Sequence, residues 1–142
     1  MYVIVVGGGE VGYFLARDLL QRGDEVILIE KEAKRADWLE HQLGSIVMCG
    51  DGDEMAFLST TGIDRADAVA AVTGDDEDNL IALQLAKNHF EVPLTIARVN
   101  NPSNVQIFQA LGVDRAISAT EVLLNALEPN LSDPEKKMKG RG

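Results

Sequence analysis

Short apolar segments alternate with helix-length amphipathic segments along most of this chain. Strands are predicted at residues 3–6, 25–30, 45–49, 67–73, 94–99 and 115–118, and helices at residues 10–21, 31–43, 54–61, 76–88, 103–111 and 120–127. Helix-length connections between successive strands require parallel strands and right-handed crossovers. We therefore predict an α/β fold with a doubly wound, six-stranded parallel sheet and helices on both faces.

Three expectations concern packing. The helical spacing of Val11, Phe14, Leu15, Asp18 and Leu19 predicts the face of the first helix that packs on the sheet, with Asp18 as its polar exception. Trp38 is expected to cover the sheet-facing edge of the second helix. Cys49, the sole cysteine, ends the third strand in apolar company and is expected in the core.

Composition excludes several classes of function. The formal net charge of −10 disfavours nucleic acid as a partner. No apolar run approaches the length of a membrane span, and no secretory leader is recognisable, so direct membrane insertion is not expected and a cytoplasmic location is. Residues 1–128 are predicted to form one domain, and residues 129–142, with two prolines and many charges, a flexible tail or linker.

A glycine-rich turn follows the first strand and opens the first helix. It reads Gly7-Gly8-Gly9-Glu10-Val11-Gly12. The first glycine of the G-x-G-x-x-G pattern permits a tight turn, the second lets a pyrophosphate approach the backbone, and the third lets helix and strand pack closely. This context predicts a Rossmann-like fold with phosphates at the positive end of the first helix.

An acid stands where such a fold binds ribose. Glu30 ends the second strand, with Lys31 beside it, and a carboxylate there accepts hydrogen bonds from ribose hydroxyls and repels a 2′-phosphate, which disfavours NADP.

Further candidates follow the other strands, where doubly wound sheets bind ligands. Asp51, with Gly52 next to it, either accepts from an adenine amino group or helps to cap the short helix that follows. Thr73 and Gly74 are expected beside the cofactor. Arg98 ends an apolar strand and requires an anion, either a carboxylate of the chain or a ligand phosphate.

Groups suited to catalysis or metal binding are sparse. Residues 75–78 are all acidic, but acids in the first turn of a helix cap its N–H groups, so no metal site is predicted there. His41 and His89 fall late on predicted helices and are expected to face solvent. No catalytic residue is assigned, and the pattern indicates a nucleotide sensor rather than an enzyme.

Four stretches together resemble the TrkA N-terminal domain, also called the KTN or RCK N-lobe. They are the glycine turn with Glu30, residues 50–52, residues 68–79, and residues 96–102 with 111–114. The resemblance covers about residues 1–127. It implies a regulatory subunit or domain of a potassium uptake system or channel, one that binds NAD(H) or an adenine nucleotide, forms dimers and larger assemblies, and gates a potassium-translocating membrane partner from its cytoplasmic side.

The resemblance has one departure. Many members of the family carry Arg where this chain has Glu10, and a carboxylate there would repel a γ-phosphate. The expected ligands are therefore NAD(H), AMP or ADP, with ATP less favoured. Glu121 matches an acid of the family that lies near ligand phosphates or a cation, with helix capping as the alternative. The cofactor-binding lobe of an NAD-dependent oxidoreductase, or of another transporter, is the competing interpretation.

Overall fold

The computed structural model describes residues 1–131. The strands are β1 (Tyr2–Val6), β2 (Glu25–Glu30), β3 (Val47–Cys49), β4 (Ala68–Ala71), β5 (Leu94–Val99) and β6 (Arg115–Ser118). The α-helices are α1 (Glu10–Gln21), α2 (Ala33–Leu43), α3 (Met55–Leu58), α4 (Asp76–Gln84), α5 (Val105–Ala110) and α6 (Ala119–Leu131). A π-helical turn, Leu85–His89, continues α4.

All six strands pair in parallel in the order β3-β2-β1-β4-β5-β6. The predicted doubly wound sheet is confirmed. The chain reverses its direction of progress across the sheet between β1 and β4, and this switch point opens a crevice at the carboxyl ends of the strands.

Strand β1 is buried on both faces. Ile4 and Val6 belong to one apolar core, and Val3 and Val5 belong to the other, on the opposite side of the sheet. This division follows from the two-residue repeat of a strand. Helices cover both faces of the sheet, which explains why every residue from Val3 to Val6 is apolar.

The buried face of α1 was predicted only in part: Leu19 is buried and Leu15 packs partly buried against the core, as expected, but the other predicted residues are not buried. Val11 and Phe14 are 47% and 46% exposed, and Asp18 is also exposed, whereas Gly12 and Ala16 are buried with Leu19. A Cβ added at Gly12 would lie 1.7 Å from the Gly7 carbonyl oxygen. Small residues make the contact because the helix lies so close to the strand, and a pattern of large apolar residues does not reveal this face.

Two other packing expectations are also wrong. Cys49 is exposed at the end of β3, which is an edge strand of the sheet. Trp38 is 44% exposed, and α2 instead buries Ala36 and Leu39 against the sheet.

The last helix is longer than the predicted 120–127. Helix α6 runs to Leu131 with Pro129 inside it, so the described part of the predicted tail is helical. The remainder, residues 132–142, lies outside the described residues. Within residues 1–131, no helix combines the length and hydrophobicity needed to cross a membrane.

Candidate functional site

A groove lies at the carboxyl ends of the strands, at the switch point of the sheet. Its lining residues are Val6, Gly7, Gly8, Gly9, Ile29, Glu30, Lys31, Gly50, Asp51, Gly52, Asp53, Val72, Thr73, Gly74, Asp78 and Arg98. Ten of the predicted site residues are among them. Glu10, Val11 and Gly12, in the first turn of α1, and Glu121, on α6, are not.

The β1–α1 turn requires glycine at Gly7 and leaves open space at Gly9. Gly7 has φ +109°, a conformation that L side chains rarely adopt, and an added Cβ would lie 2.8 Å from Thr73 Cγ2. At Gly9 an added Cβ would meet no atom within 4 Å, so the backbone there is open to a ligand.

The first two N–H groups of this turn donate hydrogen bonds within the chain. Gly7 N–H donates to Ile29 O at 2.8 Å and Gly8 N–H donates to Glu30 Oε1 at 2.9 Å. The N–H groups of residues 9–12 donate to no group within the described chain. These four unpaired donors stand at the positive end of a 12-residue helix, an arrangement that attracts an anion.

The Glu30 side chain accepts two main-chain hydrogen bonds that the sequence pattern did not predict. Oε1 accepts from Gly8, and Oε2 accepts from Glu32 N–H at 2.8 Å. The carboxylate therefore ties the glycine turn to the start of α2. Each oxygen keeps a further lone pair, so contact with ribose hydroxyls remains chemically open.

Asp51 lies in the groove beside Asp53, a residue that sequence reasoning missed. Asp51 Oδ1 accepts from Asp53 N–H at 3.3 Å, and the following helix has no side-chain cap. Of the two alternatives for Asp51, the capping role is therefore not observed. Oxygens of Asp51, Asp53 and Glu54 lie within 4.8 Å of one another. Such a cluster is no evidence of a metal without a further sign of one.

The two aspartates titrate as a pair. The hydrogen bond between the carboxyl groups, together with burial, raises the pKa of Asp53 to about 6. The same hydrogen bond lowers the pKa of Asp51. One proton shared between like charges accounts for both directions.

The acidic run after β4 makes helix-capping and loop contacts. Asp75 Oδ1 accepts from Asp78 N–H at 3.0 Å and caps α4. Asp76 accepts from the N–H groups of Asn100 and Asn101 at 2.6 and 2.9 Å. Burial alone would raise the pKa of Asp76, but these donors outweigh it and lower that pKa.

Asn79 holds the ends of β4 and β5 together. It is fully buried, accepts from Thr73 N–H, and donates to Thr73 O and Arg98 O. Thr73 Oγ1 donates to Asn79 Oδ1 at 2.6 Å. The sequence showed an Asn in the first turns of a helix, and only its burial reveals that it positions two groove residues.

Arg98 lines the groove without an internal anion. Its Nε is buried and has no hydrogen-bond partner, and no carboxylate of residues 1–131 forms an ion pair with it. Of the two alternatives for Arg98, the internal carboxylate is not found in the described chain. A buried polar atom without a partner is costly, and a bound anion would satisfy it.

Lys31 crosses the mouth of the groove. Its Nζ lies 3.2 Å from Asp78 Oδ2, and this hydrogen bond raises the pKa of Lys31. Arg35 was not predicted at all, yet its Nε donates to Gly8 O at 2.7 Å.

Glu121 is exposed outside the groove, and its main-chain N–H donates to Ser118 Oγ at 3.1 Å. His41 and His89 are both exposed, as predicted.

Solved structures share this fold. The ADP-bound GsuK structure superposes with a TM-score of 0.78 at 26% identity, covering 92% of this chain and 33% of that one. The NAD-bound GsuK channel gives 0.78 at 20% identity, covering 86% and 22%. The AMP-bound Kef C-terminal domain of Shewanella denitrificans gives 0.74 at 20% identity, covering 89% and 77%.

Relatives by sequence are potassium uptake proteins. The Trk system potassium uptake protein TrkA homolog of Methanothermobacter thermautotrophicus is 36% identical over 95% of this chain and 62% of its own length. TrkA of Mycobacterium tuberculosis is 36% identical over 90% of this chain and 58% of its own. The chain thus spans about three fifths of each relative. The TrkA-N domain model matches residues 3–119, and the chain therefore belongs to the TrkA-N domain family.

Proposed function

We propose that this chain is the nucleotide-sensing part of a regulator of a potassium transport system. The observation that carries the proposal is the groove itself, where four unpaired N–H groups open α1 and the unpaired Nε of Arg98 lies at the end of β5. Both features attract phosphate. The relatives named as TrkA potassium uptake proteins supply the transport role.

The proposed ligand is NAD(H), ADP or AMP. The GsuK structures bound to NAD and to ADP, and the Kef domain bound to AMP, support this class. Glu30 lies in the groove at the end of β2, where its carboxylate disfavours a 2′-phosphate. Glu10 adds a negative charge to the first turn of α1, so ATP should bind less tightly than ADP.

Assembly with a second copy is part of the proposal. Helix α6 buries none of its 13 residues, and its apolar side chains include Leu123 and Leu131, exposed by 61% and 75%. An amphipathic helix gains most of its stability by burying an apolar face, and no part of residues 1–131 buries the apolar side chains of this one. We further propose that the assembly acts on a potassium-translocating membrane protein from the cytoplasmic side.

Calorimetric titration with NADH, NAD, ADP, AMP and ATP tests the ligand. The matched variant is Gly9→Val, because Gly9 has φ −71° and empty space around it, so the fold should tolerate a side chain that blocks the phosphate position. We expect binding of at least one ligand that falls more than about tenfold in the variant, with an unchanged melting temperature. Glu10→Arg should raise ATP affinity relative to ADP. No binding by the unaltered chain would contradict the proposal.

Sedimentation velocity tests the assembly. Leu123→Glu with Leu127→Glu should shift the chain toward monomer, while the same pair of changes at exposed positions away from α6, Met55→Glu with Ile81→Glu, should not. A monomer in both the unaltered and the altered chains would count against the role of α6. Potassium flux measured with the full-length protein and its membrane partner should lose its nucleotide dependence in Gly9→Val.

A further inference from the structure

Both polar groups of Gly8 are held by side chains. Its N–H donates to Glu30 Oε1 at 2.9 Å, and its carbonyl oxygen accepts from Arg35 Nε at 2.7 Å. These contacts come from the end of β2 and from α2, which lie 22 and 27 residues further along the chain. The turn between β1 and α1 is therefore held by side chains from β2 and α2.

The contact with Arg35 orients the next peptide. Gly8 C=O and Gly9 N–H belong to one planar peptide, and in a trans peptide they point in opposite directions. Because Arg35 holds the carbonyl toward α2, Gly9 N–H points away from α2. That N–H donates to no group in the described chain and belongs to a residue that lines the groove.

Glycine on both sides makes the Gly8–Gly9 peptide easier to rotate than most. Neither Gly8 nor Gly9 has a Cβ, and glycine peptides rotate more freely than others. A guanidinium at the carbonyl oxygen also polarises the peptide and makes Gly9 N–H a stronger donor.

Arg35 is itself held in place. It is half-buried, and its guanidinium carbon lies 4.5 Å from the centre of the Trp38 ring. Trp38 in turn packs on Tyr13 of α1, with ring centres 5.4 Å apart. Stacking of this kind fixes an Arg more tightly than solvent would, and it accounts for a tryptophan that is not in the core.

From this geometry we propose that Arg35 is a positioning residue for the phosphate-binding turn. It does not touch the ligand. It holds the Gly8–Gly9 peptide so that Gly9 N–H faces the phosphate of a bound nucleotide. The inference rests on the proposed nucleotide binding and adds to it the residue that prepares the turn.

The test compares two ligands that differ only in phosphate. ADP and adenosine are titrated into the unaltered chain, Arg35→Met, Arg35→Lys and the matched control Arg17→Met. Arg17 also stacks on an aromatic ring, Phe14, at 4.8 Å, but it does not contact the glycine turn. We expect Arg35→Met to weaken ADP binding about tenfold and adenosine binding less than about twofold. Arg35→Lys, which keeps a charged donor, should recover most of the ADP affinity.

Each other outcome is decisive. Equal loss for both ligands in Arg35→Met would show a general structural role and would overturn the inference. If the weaker ADP binding of Arg35→Met disappears at high salt, the effect comes from charge alone, and this would also overturn the inference. Failure of the unaltered chain to bind any of NADH, NAD, ADP and AMP would overturn the proposed function and this inference with it, whereas normal ADP binding by Arg35→Met would overturn only the inference.

Discussion

Two acidic turns lie at the carboxyl ends of strands β3 and β4 of the sheet. They differ in whether their carboxylates have hydrogen-bond donors. The β3 acidic turn contains Asp51, Asp53 and Glu54, and the β4 acidic turn contains Asp75, Asp76 and Asp78. Each follows a strand and precedes a helix. In the first turn the carboxylates face one another, and in the second each of the three has a donor.

The pKa directions record this difference. The pKa of Asp53 is raised to about 6 by its neighbour Asp51, whereas the pKa of Asp76 is lowered by the N–H groups of Asn100 and Asn101. The role of an acidic cluster therefore cannot be inferred from the sequence alone. The donors brought to it by the fold decide whether it stabilises the structure or carries unrelieved repulsion.

The largest expected effect is in the β4 acidic turn. Asp76→Ala removes the acceptor of two main-chain N–H groups and of the Asn104 side chain, and it should cost about 2–4 kcal/mol of unfolding free energy. Chemical denaturation measures this. The control is Glu77→Ala, at an exposed neighbour. Equal costs for the two variants would remove the distinction between the turns.

A smaller effect, of opposite sign, is expected in the β3 acidic turn. The folded pKa of Asp53 is about 6 against an ordinary 3.8, so between these values the folded chain holds a proton that the unfolded chain has released. The contribution of Asp53 to stability is thus largest at low pH and is lost as pH rises through 6. Asp53→Asn should remove this loss and stabilise the chain above pH 7 by less than about 1 kcal/mol, since solvent screens the pair.

Melting temperatures measured from pH 4 to pH 8 check this prediction. Asp37→Asn, at an exposed position on α2, is the control. A variant at Asp53 that keeps the pH slope of the unaltered chain would show that the two carboxyl groups do not share a proton.

The smallest effect is expected where the two turns meet. Lys31 pairs with Asp78 at 3.2 Å and lies near the β3 acidic turn, but the lysine is exposed. Lys31→Met should change the melting temperature by no more than about 2 °C, and only at low salt. A larger drop that persists in high salt would show that this exposed pair stabilises the fold as strongly as a buried contact does.

Most of the fold and part of the arrangement of the groove could be predicted from the sequence. The alternation of strands and helices, the turn at Gly7, the close packing at Gly12 and the position of Glu30 follow from local patterns. The buried face of α1 followed only in part, because Ala16 is buried whereas Val11 and Phe14 are exposed. The exposure of Cys49 depended on β3 being an edge strand, which a short apolar run does not indicate.

The sequence by itself determined the parallel sheet, the glycine turn and the acid that follows β2, because periodicity and glycine conformation act over a few neighbouring residues. Only the tertiary structure decided which polar groups are satisfied. Arg35 reaches Gly8 across 27 residues, and Asp76 reaches Asn100 across 24. Hydrogen bonds over such separations leave no local pattern, so they identify the free donors of α1 and the unpaired Arg98 only once the chain has folded.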